Sequence, residues 1–362
     1  MIDDVPRHAV VVGGGITGLA CALRLQTLAE VAHADLLVTL LEASPRVGGK
    51  LRTERVDGYV IDAAADVFLE RKPHGVDLCR ALGLGPLVQH TSPRRSALTL
   101  RDGALVPATV AAFADAGPLV TLRGGMQTLA DASAAALRAV SVRTGVCVSS
   151  IERRADGYLL HTAADDFIWA DAVVVALPGP SAAVVLERVA PDVAAALGGV
   201  PYTTTSTVSL AYAASDVPHA LDGYGYWIPD AAPGEVSACT WTSSKIAGRA
   251  PAGGVLLRGY VPGEAGVVSP TAAREVRAEL RRTLGITAEP LLTRTFDWPV
   301  AVPVYGPDHA TCIATVAGLS HERPGLAVAG PAFDGAGVPD CIRSGAAAAD
   351  LVWAHVASGA LR

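Results

Sequence analysis

The 362-residue sequence predicts a two-domain α/β fold. A Rossmann-like three-layer domain is assembled from discontinuous segments, and a mixed-sheet domain is inserted between them. Three observations predict it. A β-branched apolar run, Ala9 to Val12, feeds Gly13-x-Gly15-x-x-Gly18 and then a helix-compatible stretch, Leu19 to Leu28. A second glycine-rich segment, Val328 to Ala349, returns near the other end. Between them, 181–307 is richer in Thr, Tyr and Trp and carries alternating segments. The expected partition is 1–85 with 120–180 and 310–362 for the first domain, and 86–119 with 181–309 for the second.

The first motif specifies its chemistry through spacing. Ala9 to Val12 reads as a buried parallel strand. Gly13 permits the tight turn, Gly15 lets backbone approach a pyrophosphate, and Gly18 lets helix and strand come close. Ile16 and Thr17 start the helix whose free N–H groups and positive dipole end hold phosphates. Leu36 to Leu41 is the next strand and ends at Glu42, 24 residues after Gly18 (42 − 18), a length that fits a loop over 30–35. Glu42, with Ala43 beside it, is placed to accept from a ribose 2′-OH, which argues against a 2′-phosphate and hence NADP. The rival reading is a glycine-rich turn beside a solvated Glu.

Arg46-Val47-Gly48-Gly49-Lys50-Leu51-Arg52 separates a flavin site from an ordinary nicotinamide site. A second glycine pair lets a loop run closely along the pyrophosphate and ribityl chain, with Arg46 and Arg52 as cations. The segment around Val146 is expected to lay backbone against the adenine, and Ala176 marks the exit from the domain. In the return motif, Gly330, Gly335 and Gly337 admit close backbone approach, and Val338-Pro339 starts a helix running to about Val352. Its N-terminus would favour a reduced, anionic ring. The cofactor expected is FAD, held non-covalently, with a small-molecule substrate and oxygen or another electron acceptor.

The Gly48-Gly49 segment resembles the GG motif of the flavin amine oxidase superfamily. A narrower resemblance runs through EASPRVGGKLRTERVDGYVIDAAADVFL (Glu42 to Leu69), LRGGMQTLADA (Leu122 to Ala132), SACTWTSSKI (Ser237 to Ile246), WPVAVPVYGPDH (Trp298 to His309) and GVPDCIRSG (Gly337 to Gly345). These blocks are similar to bacterial protoporphyrinogen and coproporphyrinogen oxidases, in that family's order and over most of the chain. One departure stands out. That family carries a long helical insert, forming substrate cavity and membrane-facing surface, where this chain has only Leu105 to Pro118.

Three functional readings follow. The missing insert favours a small amine or specialised metabolite, desaturated by hydride transfer to flavin. The resemblance implies a porphyrinogen. A flavin-binding module without turnover is the reading from a different class. Among catalytic candidates, the superfamily implies a lysine beside the flavin ring, which Lys245 could supply; a surface lysine is the rival. Asp334 could orient an amine or merely cap a turn. Tyr305 and Trp298 could wall a cavity, and His309 reads as a loop histidine.

Composition narrows the rest. Hydrophobic residues make up 51 % of the chain, aromatics 5 %, and the net charge is −6. With three lysines (Lys50, Lys72, Lys245) and no basic run, nothing suggests a nucleic-acid surface. No apolar stretch reaches the roughly 18 residues of a membrane span, and the start lacks a signal-peptide layout, so a cytoplasmic protein is expected. The six cysteines are scattered without C-x-x-C or a histidine cluster, so neither metal nor disulfide is expected. Cys341, in the return motif, reads chiefly as packing.

Overall fold

The computed structural model describes residues 6–93, 97–101, 103–108 and 117–359. Asp102, most of the Leu105 to Pro118 connection, and the side chain of Asp334 lie outside what is described.

A five-stranded parallel sheet organises the first region, in the order Val140–Thr144, Leu36–Glu42, Arg7–Val12, Ala172–Val175, Leu326–Val328. Its inner strands are apolar on both faces because both are covered, whereas the edge strand Val140–Thr144 is largely exposed. On one face Val11, Leu40 and Val174 pack beneath Leu19 and Leu25 of the helix Ile16–Ala32 and Val352 of the helix Val338–Gly359. On the other, Val10, Val12 and Val175 meet Ile151, Tyr158 and Leu160 of a three-stranded antiparallel meander, Val148–Arg154, Gly157–Thr162 and Phe167–Ala170. Helices, parallel sheet and meander make three layers.

A seven-stranded sheet forms the second region: Leu292–Trp298, Thr204–Ala213, Gly254–Gly263, Ala238–Thr240, Gly225–Trp227, Ala97–Arg101, Ala104–Pro107. Its strands after Ser181 pair antiparallel with one another, and the sheet as a whole is mixed, as the sequence predicts, because Gly225–Trp227 pairs parallel with Ala97–Arg101. The amphipathic helix Ala272–Leu284 covers one face through Val276 and Leu280. Two short helices early in this stretch, Gly179–Leu186 and Pro191–Gly198, pack their Ala182, Val185 and Leu197 against the meander side of the parallel sheet.

Three elements differ from the sequence expectation. The first helix runs through Ala32, so the first half of the length assigned to a loop over 30–35 is helix. The alanine-rich run Met126 to Val140 reads as one helix, but the helix stops at Ala135, and Val140–Thr144 is the edge strand of the parallel sheet. Buried Gln26 sets that boundary. Its Oε1 accepts the N–H groups of Arg138 and Ala139, and its Nε2 donates to Ala136. Finally, His309–Glu322 is a helix, with Cys312 and Leu319 turned to the core.

Candidate functional site

The turn between Val12 and Ile16 is fixed by sterics. Gly13 has φ +108°, and a Cβ there would lie 2.5 Å from the Ala176 carbonyl oxygen. A Cβ on Gly18 would lie 1.8 Å from the Gly13 carbonyl oxygen. The helix that follows begins at Ile16 with no side-chain cap, which leaves its first N–H groups free for a ligand. Around Gly15 the structure leaves room: a Cβ there would meet nothing within 4 Å. Such an open, uncapped helix start above an obligatory glycine turn fits a pyrophosphate.

The other front-motif residues converge on this turn. Glu42 accepts the Gly14 N–H at Oε2 (2.7 Å), and its Oε1 accepts the N–H and hydroxyl of Ser44. Oε1 thus takes two donors, and Oε2, with one, keeps acceptor capacity for a ribose hydroxyl. The backbone N–H of Val146 donates to the Glu42 carbonyl at 2.9 Å, bringing the expected adenine segment to the same strand end. Gly48 lies across Gly15 as a parallel bridge and donates to Gly14 at 2.7 Å. The second glycine pair therefore rests directly on the phosphate turn.

The cations of this loop are not pointed freely at a ligand. Arg46 donates to the carbonyls of Val47 and Gly49 at 3.0 and 2.6 Å, clipping its own loop, and burial pulls its pKa down. Arg52 pairs with Glu54 at 3.0 Å and lies over the Phe296 ring. Lys50 donates to the Ala301 carbonyl at 2.5 Å, and burial lowers its pKa. Leu51 is buried, and its N–H returns to Gly48.

The return motif closes on the same place. Gly330, at φ +139°, donates its N–H to Ser344 Oγ, and the Gly337 carbonyl accepts from Cys341 N–H in the first turn of the helix Val338–Gly359. Cys341 is buried, with a thiol pushed up by burial while a Thr17 contact opposes the shift. That places the second motif against the start of the first helix.

Tyr305 donates its hydroxyl to the Pro331 carbonyl at 2.6 Å, and its ring lies 4.3 Å from that of His309. His309 approaches the Phe333 carbonyl at 3.1 Å. Together they clip the short helix Pro331–Asp334, so His309, expected in a loop, is a half-buried first residue of a helix. Trp298 donates Nε1 to the Ala63 carbonyl at 3.2 Å.

Lys245 is buried, not a surface lysine. Its Nζ lies 3.2 and 3.1 Å from the two carboxylate oxygens of Asp66. Around them stand Asp62, Arg249 and Arg258, a buried cluster the sequence reading missed. Charged residues default to the surface, and the partners are far apart in the chain. Among the described residues no cluster of metal-ligating type occurs, and no helix is long and apolar enough to cross a membrane.

Comparison with known proteins agrees with this geometry. The model for "Flavin containing amine oxidoreductase" matches residues 16–115 and 100–353. The chain belongs to that family. It is an FAD-dependent oxidoreductase with the family's two-domain α/β fold. It is 26 % identical over 463 aligned positions to coproporphyrinogen III oxidase of Bacillus subtilis, covering 96 % of this chain and 98 % of that one. Against coproporphyrinogen III oxidase of Propionibacterium freudenreichii it is 38 % identical over 242 residues, 66 % of this chain and 45 % of the relative. In fold it superposes with TM-score 0.82 on a candidate protoporphyrinogen oxidase from Exiguobacterium sp. 255-15, at 22 % identity, covering 95 % and 98 % of the two chains.

Proposed function

We propose that this flavoenzyme oxidises a porphyrinogen, with coproporphyrinogen III the first substrate to test. The observation that carries the proposal is the end-to-end match to the Bacillus subtilis enzyme. It favours the porphyrinogen over the small amine that the short connection suggested. The alignment spans 463 positions against a chain of 362 residues, so at least a hundred lie opposite gaps in this chain. The short connection Leu105 to Pro118 is the one sequence feature in favour of a smaller substrate.

The residues present suit the cofactor's task. FAD, when bound, accepts hydride from the substrate; the protein supplies binding, orientation and electrostatics. Gly13 to Gly18 and the uncapped helix start would hold the pyrophosphate, Glu42 would hold the ribose, and Gly48-Gly49 would admit close backbone approach to the bound cofactor. We place the ring between the Gly49–Arg52 strand of loop and the start of the helix Val338–Gly359, whose N-terminus favours negative charge on the ring. Tyr305 and His309 act there as positioning residues, fixing the short helix that precedes the return motif.

The test is anaerobic mixing of the holoprotein with coproporphyrinogen III, protoporphyrinogen IX and a panel of primary and secondary amines, following loss of flavin absorbance. Prompt bleaching by coproporphyrinogen III is the expected result. Bleaching by an amine alone would return the substrate to the smaller class, and no bleaching by any compound would favour a flavin-binding module.

A further inference from the structure

Five charged side chains are buried together behind a run of three alanines. Asp62 and Asp66 flank Ala63–Ala65, while Lys245, Arg249 and Arg258 come from the region of the seven-stranded sheet. Asp62, Arg249 and Arg258 are each 1 % exposed, Asp66 7 % and Lys245 8 %. Lys245 pairs with Asp66, Arg249 with Asp62 at 2.7 Å, and Arg258 stands 3.8 Å from Asp66. Arg258 also donates to the backbone carbonyls of Asp62 (2.5 Å) and Ala64 (2.9 Å).

Two features of this cluster are unusual. Three cations face two carboxylates, so one positive charge is left over. In addition, Nε and Nη1 of Arg249 and Nε of Arg258 are buried without a hydrogen-bond acceptor among the described residues. Surplus positive charge in a water-poor interior is unfavourable unless negative charge stands nearby.

The position of the alanine run says where that negative charge arises. Ala63 N–H donates to the Arg52 carbonyl at 2.8 Å, so the run starts from the end of the Gly48-Gly49 loop. Past Asp66, the Phe68 ring packs on Gly75 beside Pro339: a Cβ on Gly75 would stand 2.7 Å from Phe68 and 3.1 Å from Pro339. The segment 63–68 therefore spans from one flavin motif to the other and backs the space between them.

We propose that the surplus positive charge of the Lys245, Arg249 and Arg258 cluster stabilises the negative charge that the bound flavin ring acquires on reduction, and so sets its potential. The proposal rests on FAD as cofactor and is independent of which substrate is oxidised. The cluster's members are joined to the ring's surroundings through Ala63 and Ala64, and their charge acts through a dry interior where it is little screened.

The test is the two-electron midpoint potential of FAD in the holoprotein, titrated anaerobically with dithionite against a reference dye. Lys245→Gln removes a cation and lowers the potential; Asp66→Asn removes an anion and raises it. Each shift is expected to be on the order of tenfold in the oxidised-to-reduced equilibrium, or about 30 mV for a two-electron couple. The double variant returns towards the starting value. A loss of packing would move both single variants the same way, so shifts of the same sign, or none, overturn the proposal. If either variant loses FAD, the pair Arg249→Gln and Asp62→Asn must show the same opposite signs. The unmodified holoprotein must also lie above free FAD in the same cell, and a value at or below it overturns the proposal outright.

Discussion

The carboxylate of Glu42 accepts the amide hydrogen of Gly14 at 2.7 Å, and this bond ties the second parallel strand to the phosphate turn. The same carboxylate holds Ser44 through its other oxygen. Strand end, turn and the start of the Gly48-Gly49 loop are thus one preformed unit. Glu42→Ala should leave the Gly14 N–H without its partner and release Ser44. Hydrogen bonds to a charged acceptor contribute about 1.5–3 kcal/mol, so FAD affinity is expected to fall by roughly 10- to 100-fold. Equilibrium titration of flavin-free protein with FAD measures this directly, and unchanged affinity would refute the role.

The two motif helices cross at Gly345. A Cβ at this position would lie 2.1 Å from the Thr17 carbonyl oxygen and 3.2 Å from the Cys21 nitrogen. Neither contact is with a flexible side chain, so Gly345→Ala can be accommodated only by separating the helices. Overpacking of this kind costs about 1–3 kcal/mol. Thermal melts of the holoprotein should show a clear drop in Tm, whereas Ala346→Gly, one residue away, should cost only the modest helix penalty of glycine.

What was legible in the sequence is what local backbone geometry dictates. Gly13, Gly15 and Gly18 announce themselves because their spacing is imposed by a turn, a phosphate and a helix contact that recur wherever this chemistry does. The return glycines are readable for the same reason. The edge strand Val140–Thr144 was harder. An alanine-rich helix precedes it with no glycine or proline between them, and the stop comes from Gln26, more than a hundred residues earlier in the chain. Its only local signal was Val140, Val142 and Thr144 on alternate positions. The buried cluster had no local signal at all. Asp62 and Asp66 meet Lys245, Arg249 and Arg258 only because the fold brings the hairpin Thr53–Val56/Tyr59–Asp62 against the large sheet.

Tyr305 was read as a catalytic candidate, and its hydroxyl is engaged with the Pro331 carbonyl. Burial pushes its pKa up to about 12, so it stays protonated and donating at any working pH. Tyr305→Phe removes one hydrogen bond from the segment leading to the return motif. That contributes about 0.5–1.5 kcal/mol, predicting a several-fold weaker FAD affinity with the rate of flavin reduction by a bound substrate nearly unchanged. A fall of two or more orders of magnitude in that rate, at full FAD occupancy, would instead make it a catalytic residue. Rapid-mixing absorbance separates the two outcomes.

The Lys245–Asp66 pair also predicts how stability depends on pH. Although burial alone would raise it, attraction from Lys245 and Arg258 holds the Asp66 carboxyl below its ordinary value of 3.8. Because the folded-state pKa is the lower one, the stabilisation is fully present above the unfolded value and is lost as pH falls through the folded one. Asp66→Asn leaves Lys245 buried without its counter-charge, and breaking one partner of a buried pair costs about 3–5 kcal/mol. Urea melts at neutral pH should therefore show the variant well below the unmodified protein. That gap should hold down to about pH 4 and then narrow as the medium is made more acid, because only the unmodified protein still has this carboxylate to protonate. A gap that stays constant into the acid range would mean that Asp66 contributes through shape and hydrogen bonding, not through its charge.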